Sequence, residues 1–456
     1  MIIVKIALAH YRIGDTDGVS LEMEKWRTVL ESMGHEVVFI AGNPWDSRTF
    51  VIEELNYRNP YNDKIVYNAF ENLVDYHNEQ ELLADIERLA NIIEQKLIAL
   101  IHNEQIDVIV PNNILSLGWG LSAGIAFTRA IEKTKVRTIC HHHDFHWERE
   151  LYSRPTVPGI KRILETYFPP KGDHIHHVVI NKIAQNELRN RYGLVADVVP
   201  NVFDFQGKLW TEDQFNYDFR ENMGVDENDI LILQATRVTE RKAIELGIEV
   251  VHEIQKEENL KKIMEKGLYN GKTYNQIPKV VYLLAGNIEA SNEYVYFLRK
   301  KAKQLGVDMR FIHDRIDSKR KIVNNRKIYS LWDSYVHADL ITYPSILEGW
   351  GNQLLEAVFA KKPTVIFEYP VYKTDIADKN FKFISLGSTY QVGENSEVMV
   401  EKARIVHAAR EATNVLTDRE LYQNVIEHNF NIGKKYYSYD ALKNYLEIIF
   451  NRAVTF

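Results

Sequence analysis

Residues 338–367, ADLITYPSILEGWGNQLLEAVFAKKPTVIF, decide how the rest of the chain is read. An apolar run ends at Tyr343, a proline and two glycines keep the next residues irregular, and a helical pattern begins near Asn352. Such a strand, loop and helix belongs to an open α/β sheet, whose ligands collect beyond the carboxyl ends of the strands. The helix start near Asn352 offers backbone N–H groups and the positive end of a dipole, which suit a diphosphate. Gly349 and Gly351 let a ligand approach the backbone, with Trp350 between them. Glu348 and Glu356 lie eight positions apart, which on a continuous helix is about 12 Å at roughly 1.5 Å per residue. That exceeds the roughly 5–9.5 Å of a glycosidase acid and base pair. The two carboxylates are better placed to hold two ends of one elongated ligand, each accepting hydrogen bonds from a vicinal diol.

Working outward, short β-rich runs alternate with longer helical patterns in two series, the pattern of parallel sheets with crossover helices. In the first series strands are expected at 2–9, 36–41, 107–111, 136–140 and 176–180, with helices near 19–33, 82–104 and 183–192. The second opens with ILILQA at 230–235, a continuous apolar run, and continues with strands at 279–285, 309–312, 339–343 and 364–367. Its helices are expected to start near Lys242, Asn292, Asn352 and Glu397. Residues 43–80, rich in Asn, Tyr and Asp, read as an irregular excursion from the first sheet. The expected fold is α/β, with two Rossmann-like domains facing across a cleft: 1–205 on the acceptor side, 206–435 on the donor side, and a helix in 436–456 that packs back on the first domain.

The chain has 456 residues, 45% hydrophobic and 26% charged, enough apolar mass for two large cores. Its 56 Lys and Arg against 63 Asp and Glu leave a net charge of −7, so no overall basic field draws it to nucleic acid. The single cysteine, Cys140, excludes an internal disulfide and any multi-thiolate metal site. The opening run MIIVKIALAH carries Lys5 and no cleavage pattern follows it, so it reads as a buried strand, and no apolar stretch has the length of a membrane span. A cytoplasmic protein is expected.

The pattern YPS, two residues, EGWG and a glutamate eight positions after the first resembles the most recognisable motif of the family-four retaining glycosyltransferases of GT-B architecture. The resemblance implies a hexose moved with retention from a nucleoside-diphosphate sugar to a hydroxyl acceptor, without a metal and with no cofactor beyond the donor substrate. It assigns Glu348 to the donor-sugar hydroxyls and Glu356 to the nucleotide ribose, with Gly349, Trp350, Gly351 and Asn352 lining the donor. Upstream, in ATRVTERKAIELGIEV, Arg237 and Lys242 resemble the cation pair with which the family holds the diphosphate; Arg241, next to Lys242, blurs which cation faces inward. In AHYRIGDTDGVSLEMEKW, Gly18 resembles the glycine that lets phosphate or acceptor near the backbone.

The run TICHHHDFHWERE at 138–150 resembles the family strand ending in His and Asp, which makes His143 the counterpart of the histidine near the donor sugar. Alternation along a strand turns neighbouring imidazoles to opposite faces, so a metal held by His141, His142, His143 and His146 is disfavoured. Asp15 and Asp17 form an Asp-X-Asp triplet too common to count as a metal site. PNNI, which begins at the end of the strand at 107–111, suits either a turn or an acceptor pocket. The acidic balance favours a soluble acceptor over a lipid one, while Lys161, Arg162 and Lys171 leave room for peripheral membrane contact. A sugar phosphorylase or nucleotide-sugar epimerase on the same fold, or a non-catalytic nucleotide-sugar binding protein, would share the phosphate cradle.

Overall fold

The computed structural model describes residues 3–14, 17–393 and 396–454. The chain forms two compact units, residues 1–202 with 439–456, and residues 203–438. Asp15 of the Asp-X-Asp triplet lies outside the described residues.

The first unit is built on seven strands: β1 (Lys5–Ala9), β2 (Glu36–Ala41), β3 (Thr49–Val51), β4 (Val108–Pro111), β5 (Arg137–His142), β6 (Ile175–Val179) and β7 (Ala196–Val198). All pair in parallel, in the order β3-β2-β1-β4-β5-β6-β7. Strand order reverses between β1 and β4, so the loops after these two strands diverge and open a crevice at the carboxyl edge. Strands β1, β2 and β4 are apolar on both faces because helices cover both. The Glu79–Asn103 helix turns Leu82, Ile86, Leu89, Ile93, Leu97 and Ile101 to the core at spacings of three and four, and Asn78 caps it by accepting from Glu81 N at 3.0 Å. On the other face, Leu442, Leu446, Ile449 and Phe450 of the Tyr439–Val454 helix share a cluster with Met23, Trp26, Val29 and Leu30 of the Gly18–Ser32 helix. Each such side chain contributes about 1.5–3 kcal/mol of burial.

Two expectations are corrected here. Residues 43–80 are not an irregular excursion: β3 adds a strand to the sheet edge, and Pro60–Phe70 is a helix with Asn59 as its cap and Pro60 in its first turn. Ile65, Val66, Ala69 and Phe70 anchor that helix to the core. The strand expected to end at Cys140 runs on to His142, because β6 continues pairing alongside it, with Cys140 opposite His177 and His142 opposite Val179.

The second unit carries β8 (Ile230–Gln234), β9 (Val280–Leu284), β10 (Asp308–Phe311), then a small three-stranded sheet of β11 (Ile316–Asp317), β12 (Lys321–Val323) and β13 (Arg326–Ser330), and returns with β14 (Leu340–Tyr343), β15 (Thr364–Ile366) and β16 (Ile384–Ser385). Its main sheet is parallel in the order β10-β9-β8-β14-β15-β16, the same topology as the first, with the reversal between β8 and β14. The loops after β8 and β14 are the two segments that the sequence motifs single out. The helix expected near Glu397 begins at Lys402, because Val398–Met399 pairs with Gln391–Val392 as a short ribbon. No helix among the described residues is long and apolar enough to cross a membrane.

Candidate functional site

In the second unit the switch-point loops are sewn together by Arg241 and Lys242. The chain after β8 makes one tight turn at Glu240–Lys242 and passes through Ala243 at φ 43° into the Ile244–Ile254 helix. The Arg241 carbonyl accepts from Ile346 N at 3.0 Å, and its guanidinium donates to the Leu347 carbonyl at 2.9 Å and to Glu348 Oε2 at 3.1 Å. The Lys242 ammonium donates to Glu348 Oε1, with the Tyr343 ring centroid 5.6 Å from its nitrogen. Lys242 and Glu348 are both buried, whereas Arg241 is part-exposed.

Burial alone would raise the Glu348 carboxyl, but Lys242 and Arg241 together hold it below the ordinary carboxylate range. Burial pushes the Lys242 ammonium down, and Arg241 and Arg237 add to that push against the attraction of Glu348. Two cations thus face one carboxylate in a half-dry loop. The local excess of positive charge is what an entering anion would relieve.

Beyond Glu348 the chain turns at Gly351, whose φ of 126° suits glycine, and starts the Asn352–Phe359 helix. A Cβ on Gly351 would lie 2.3 Å from the Tyr369 hydroxyl, which donates to the Trp350 carbonyl at 2.7 Å. The helix N-cap makes no side-chain hydrogen bond. Glu348 therefore precedes the helix, which begins at Asn352 as the loop-and-helix reading of the sequence places it. Glu356 sits one turn inside the helix, where the Tyr335 hydroxyl donates to its Oε2 at 3.0 Å.

Of the residues singled out in the sequence, the structure brings together Lys242 and Glu348, with Gly349, Gly351 and Asn352 following directly in the chain. Arg237 is not brought onto Glu348: its side chain is half-exposed and pairs with Glu289 at 2.6 Å. The second cation on Glu348 is Arg241. Trp350 is buried, its ring packed edge-on against Tyr437 at 5.4 Å, so its position is that of a core residue behind the loop.

In the first unit, Gly18 opens its helix and Asp17 caps it, accepting from Val19 N at 3.1 Å and Ser20 N at 3.2 Å. Asp17 also pairs with Arg12 at 3.1 Å. His143 lies one residue past β5. Asn113, at φ 58°, accepts on Oδ1 from His143 N at 2.7 Å and Asp144 N at 3.1 Å, and Asn112 Oδ1 stands 3.2 Å from His143 Nε2 and 2.9 Å from His141 Nδ1. Burial, helped by His10 and opposed by Asp144 and Asp17, takes the His143 imidazole down to about 4, so it is neutral near pH 7.

Alternation holds along β5: His141 stacks on Trp26 at 4.4 Å, while His142 turns the other way to His177, Nε2 to Nδ1 at 3.0 Å. Cys140, His142 and His177 place their ligand atoms within 4.8 Å of one another. A proton shared between two neutral imidazoles accounts for their contact, and the cross-strand partner His177 could not be read from the histidine run. Asn112 was visible only as part of PNNI, and Tyr335 had no signal of its own. Two of the three cations of the basic strip are matched by acids, Lys161 by Glu165 at 3.7 Å and Arg162 by Glu79 at 3.1 Å.

Residues 216–432 match the family described as glycosyl transferases group 1. The chain is 41% identical over 431 residues to the mannosylglucosylglycerate synthase of Petrotoga mobilis, covering 94% of this chain and 97% of that one. A glycosyltransferase from Rickettsia africae superposes with a TM-score of 0.64 at 11% identity, covering 99% of both chains. HepE of Anabaena in complex with UDP-glucose superposes with a TM-score of 0.58 at 11% identity, covering 98% of this chain and 100% of that one. With two Rossmann-type sheets, the motif loops at the switch point of the second, and this relationship over nearly the whole chain, the protein belongs to the group 1 glycosyl transferases and is a glycosyltransferase of GT-B architecture.

Proposed function

We propose that this enzyme transfers a mannosyl group, with retention at the anomeric carbon, from a nucleoside-diphosphate mannose to a hydroxyl of glucosylglycerate. The sugar and the acceptor follow from the activity named for the Petrotoga mobilis relative. The observation that carries the donor chemistry is the cluster of Lys242 and Arg241 on the single carboxylate of Glu348.

When the diphosphate enters, its oxygens compete with Glu348 for these cations, Lys242 as a mobile point charge and Arg241 as a planar fork. The start of the Asn352–Phe359 helix, just past Glu348 in the chain, adds its dipole. Glu348, partly released, accepts hydrogen bonds from sugar hydroxyls, and Glu356 takes the ribose diol. As the glycosidic bond breaks, negative charge grows on the leaving diphosphate, and donors already fixed by the fold stabilise it without reorganisation. The acceptor attacks from the face the leaving group vacates, its hydroxyl proton passing to a departing phosphate oxygen. Lys242 and Arg241 supply the positive charge that a divalent ion gives in metal-dependent transferases.

Incubation with nucleoside-diphosphate mannose of each base, with and without glucosylglycerate, tests the reading. Expected are acceptor-dependent release of nucleoside diphosphate, an α-mannosyl product from an α-linked donor by proton NMR, and rates unchanged by a chelator. A β-linked product, or strict dependence on added divalent metal, would contradict it.

A further inference from the structure

The carboxyl edge of the first sheet holds a histidine whose protonation pattern is fixed by its neighbours. Asn112 Nδ2 donates to the Val110 carbonyl at 3.0 Å and lies 3.5 Å from the Ala9 carbonyl. Carbonyls only accept, so the amide nitrogen faces them and Oδ1 faces the imidazoles. That oxygen meets both His141 Nδ1 and His143 Nε2, and it too can only accept. Both ring nitrogens must therefore carry hydrogen. The His141 and His143 ring centroids are 4.1 Å apart and both rings are buried, which keeps them neutral. A neutral imidazole protonated on Nε2 has an unprotonated Nδ1. No protein group among the described residues is hydrogen-bonded to Nδ1 of His143. Asn113 fixes the backbone of the same residue, so neither the main chain nor the ring of His143 is free to turn.

We propose that Asn112 is a positioning residue, whose side-chain oxygen fixes His143 as its Nε2–H tautomer so that Nδ1 accepts a hydrogen bond from a hydroxyl of the carbohydrate substrate. His10 follows the same logic on the main-chain side: its Nδ1 donates to the Asn112 carbonyl at 2.8 Å, leaving Nε2 as an acceptor. This edge reads hydroxyl groups as donors, and it does so only while the imidazoles stay uncharged. The charged and titratable groups that act on His143 are His10, His141, His142, Asp17 and Asp144, the two carboxylates being engaged by Arg12 and Arg149. The inference rests on the transferase reading for the identity of the ligand, but not for the tautomer.

Asn112→Asp puts a carboxylate where the amide oxygen stood. An opposite charge at that distance raises an imidazole by about 1–3 units, from about 4 into the range between pH 5 and 7. The variant should lose more kcat/KM than the parent between about pH 8 and about pH 5.5, by about 1.3-fold for a rise of one unit, about fourfold for two and about 30-fold for three, as Nδ1 gains a proton and turns from acceptor to donor. A variant profile that superimposes on the parent profile would overturn the proposal. Should the variant not fold, nitrogen-15 spectra of histidine-labelled parent protein decide, with the His143 signals assigned by a His143→Gln sample. Pyrrole-type Nε2 and pyridine-type Nδ1 near neutral pH support the assignment, and the reverse refutes it. A parent enzyme that turns over no nucleotide sugar would sink the transferase reading, while the ring spectra would still decide the tautomer.

Discussion

Replacing Lys242 by Met removes one charge and keeps most of the stem that packs against Tyr343. A full unit of charge on the leaving diphosphate about 4 Å from the ammonium is worth about 4 kcal/mol at an effective dielectric of about 20. With the glycosidic bond half broken in the transition state, about half of that, ~2 kcal/mol, is added to the barrier, or roughly 30-fold in rate at about 1.4 kcal/mol per tenfold. Complete charge development would give about 10³-fold, so the expected fall in kcat lies between these, near the 10² to 10³ typical of one preorganised donor. Because Lys242 also holds the diphosphate of the bound donor, kcat/KM should fall at least as far as kcat.

Stability is a separate consequence of the same change. Breaking a buried pair costs about 3–5 kcal/mol, and Arg241, still 3.1 Å from Glu348, keeps the loss at the lower end. At about 2–4 °C per kcal/mol for a unit of this size, the midpoint should drop by roughly 6–12 °C. Steady-state kinetics well below that midpoint, beside scanning calorimetry, separate the two effects. A folded Lys242→Met enzyme whose kcat stays within about threefold of the parent would refute the electrostatic role.

Other perturbations test other parts of the account. Glu356→Ala removes a charged hydrogen-bond acceptor worth about 1.5–3 kcal/mol, so calorimetric titration should show nucleoside diphosphate bound about 10- to 10²-fold more weakly, with kcat nearly unchanged. Gly351→Ala forces a side chain into a left-handed backbone position and onto the Tyr369 hydroxyl; a loss of at least about 1–3 kcal/mol on chemical denaturation and a fall in donor affinity are expected together. Lowering the pH should destabilise the fold. Burial takes His143 and His177 down to about 4 from the ordinary 6.5, so in that window the unfolded chain binds protons that the folded chain does not. Stability therefore falls as pH drops from 6.5 towards 4, by up to about 3 kcal/mol for His143 alone. A melting midpoint that is flat between about pH 7.5 and about pH 5 would contradict the buried, neutral cluster.

The parts legible in the sequence share one property: their signals are local. ILILQA and LITY are unbroken apolar runs, because a parallel strand covered on both faces needs no alternation. EGWG follows such a run directly, so the loop and helix start could be placed by chain order. What was not legible depends on partners far away in sequence. Arg237 and Arg241 look alike as letters, and only a bond to Glu289, 52 positions on, takes Arg237 outward, while the loop at 346–348 draws Arg241 inward. His142 finds His177 because β5 and β6 pair in one register, which a histidine run cannot announce. The Pro60–Phe70 helix did carry a local sign, Asn59 before Pro60, but the polar residues around it masked the apolar spacing of Ile65, Ala69 and Phe70.

The central claim is that the loops after β8 and β14 hold the diphosphate of a nucleotide sugar. A crystal structure with a nucleoside diphosphate bound tests it most directly. Phosphate oxygens are expected within hydrogen-bonding distance of the Lys242 ammonium and the Arg241 guanidinium, beside the start of the Asn352–Phe359 helix. A nucleotide bound elsewhere, with Glu348 still holding both cations, would contradict it.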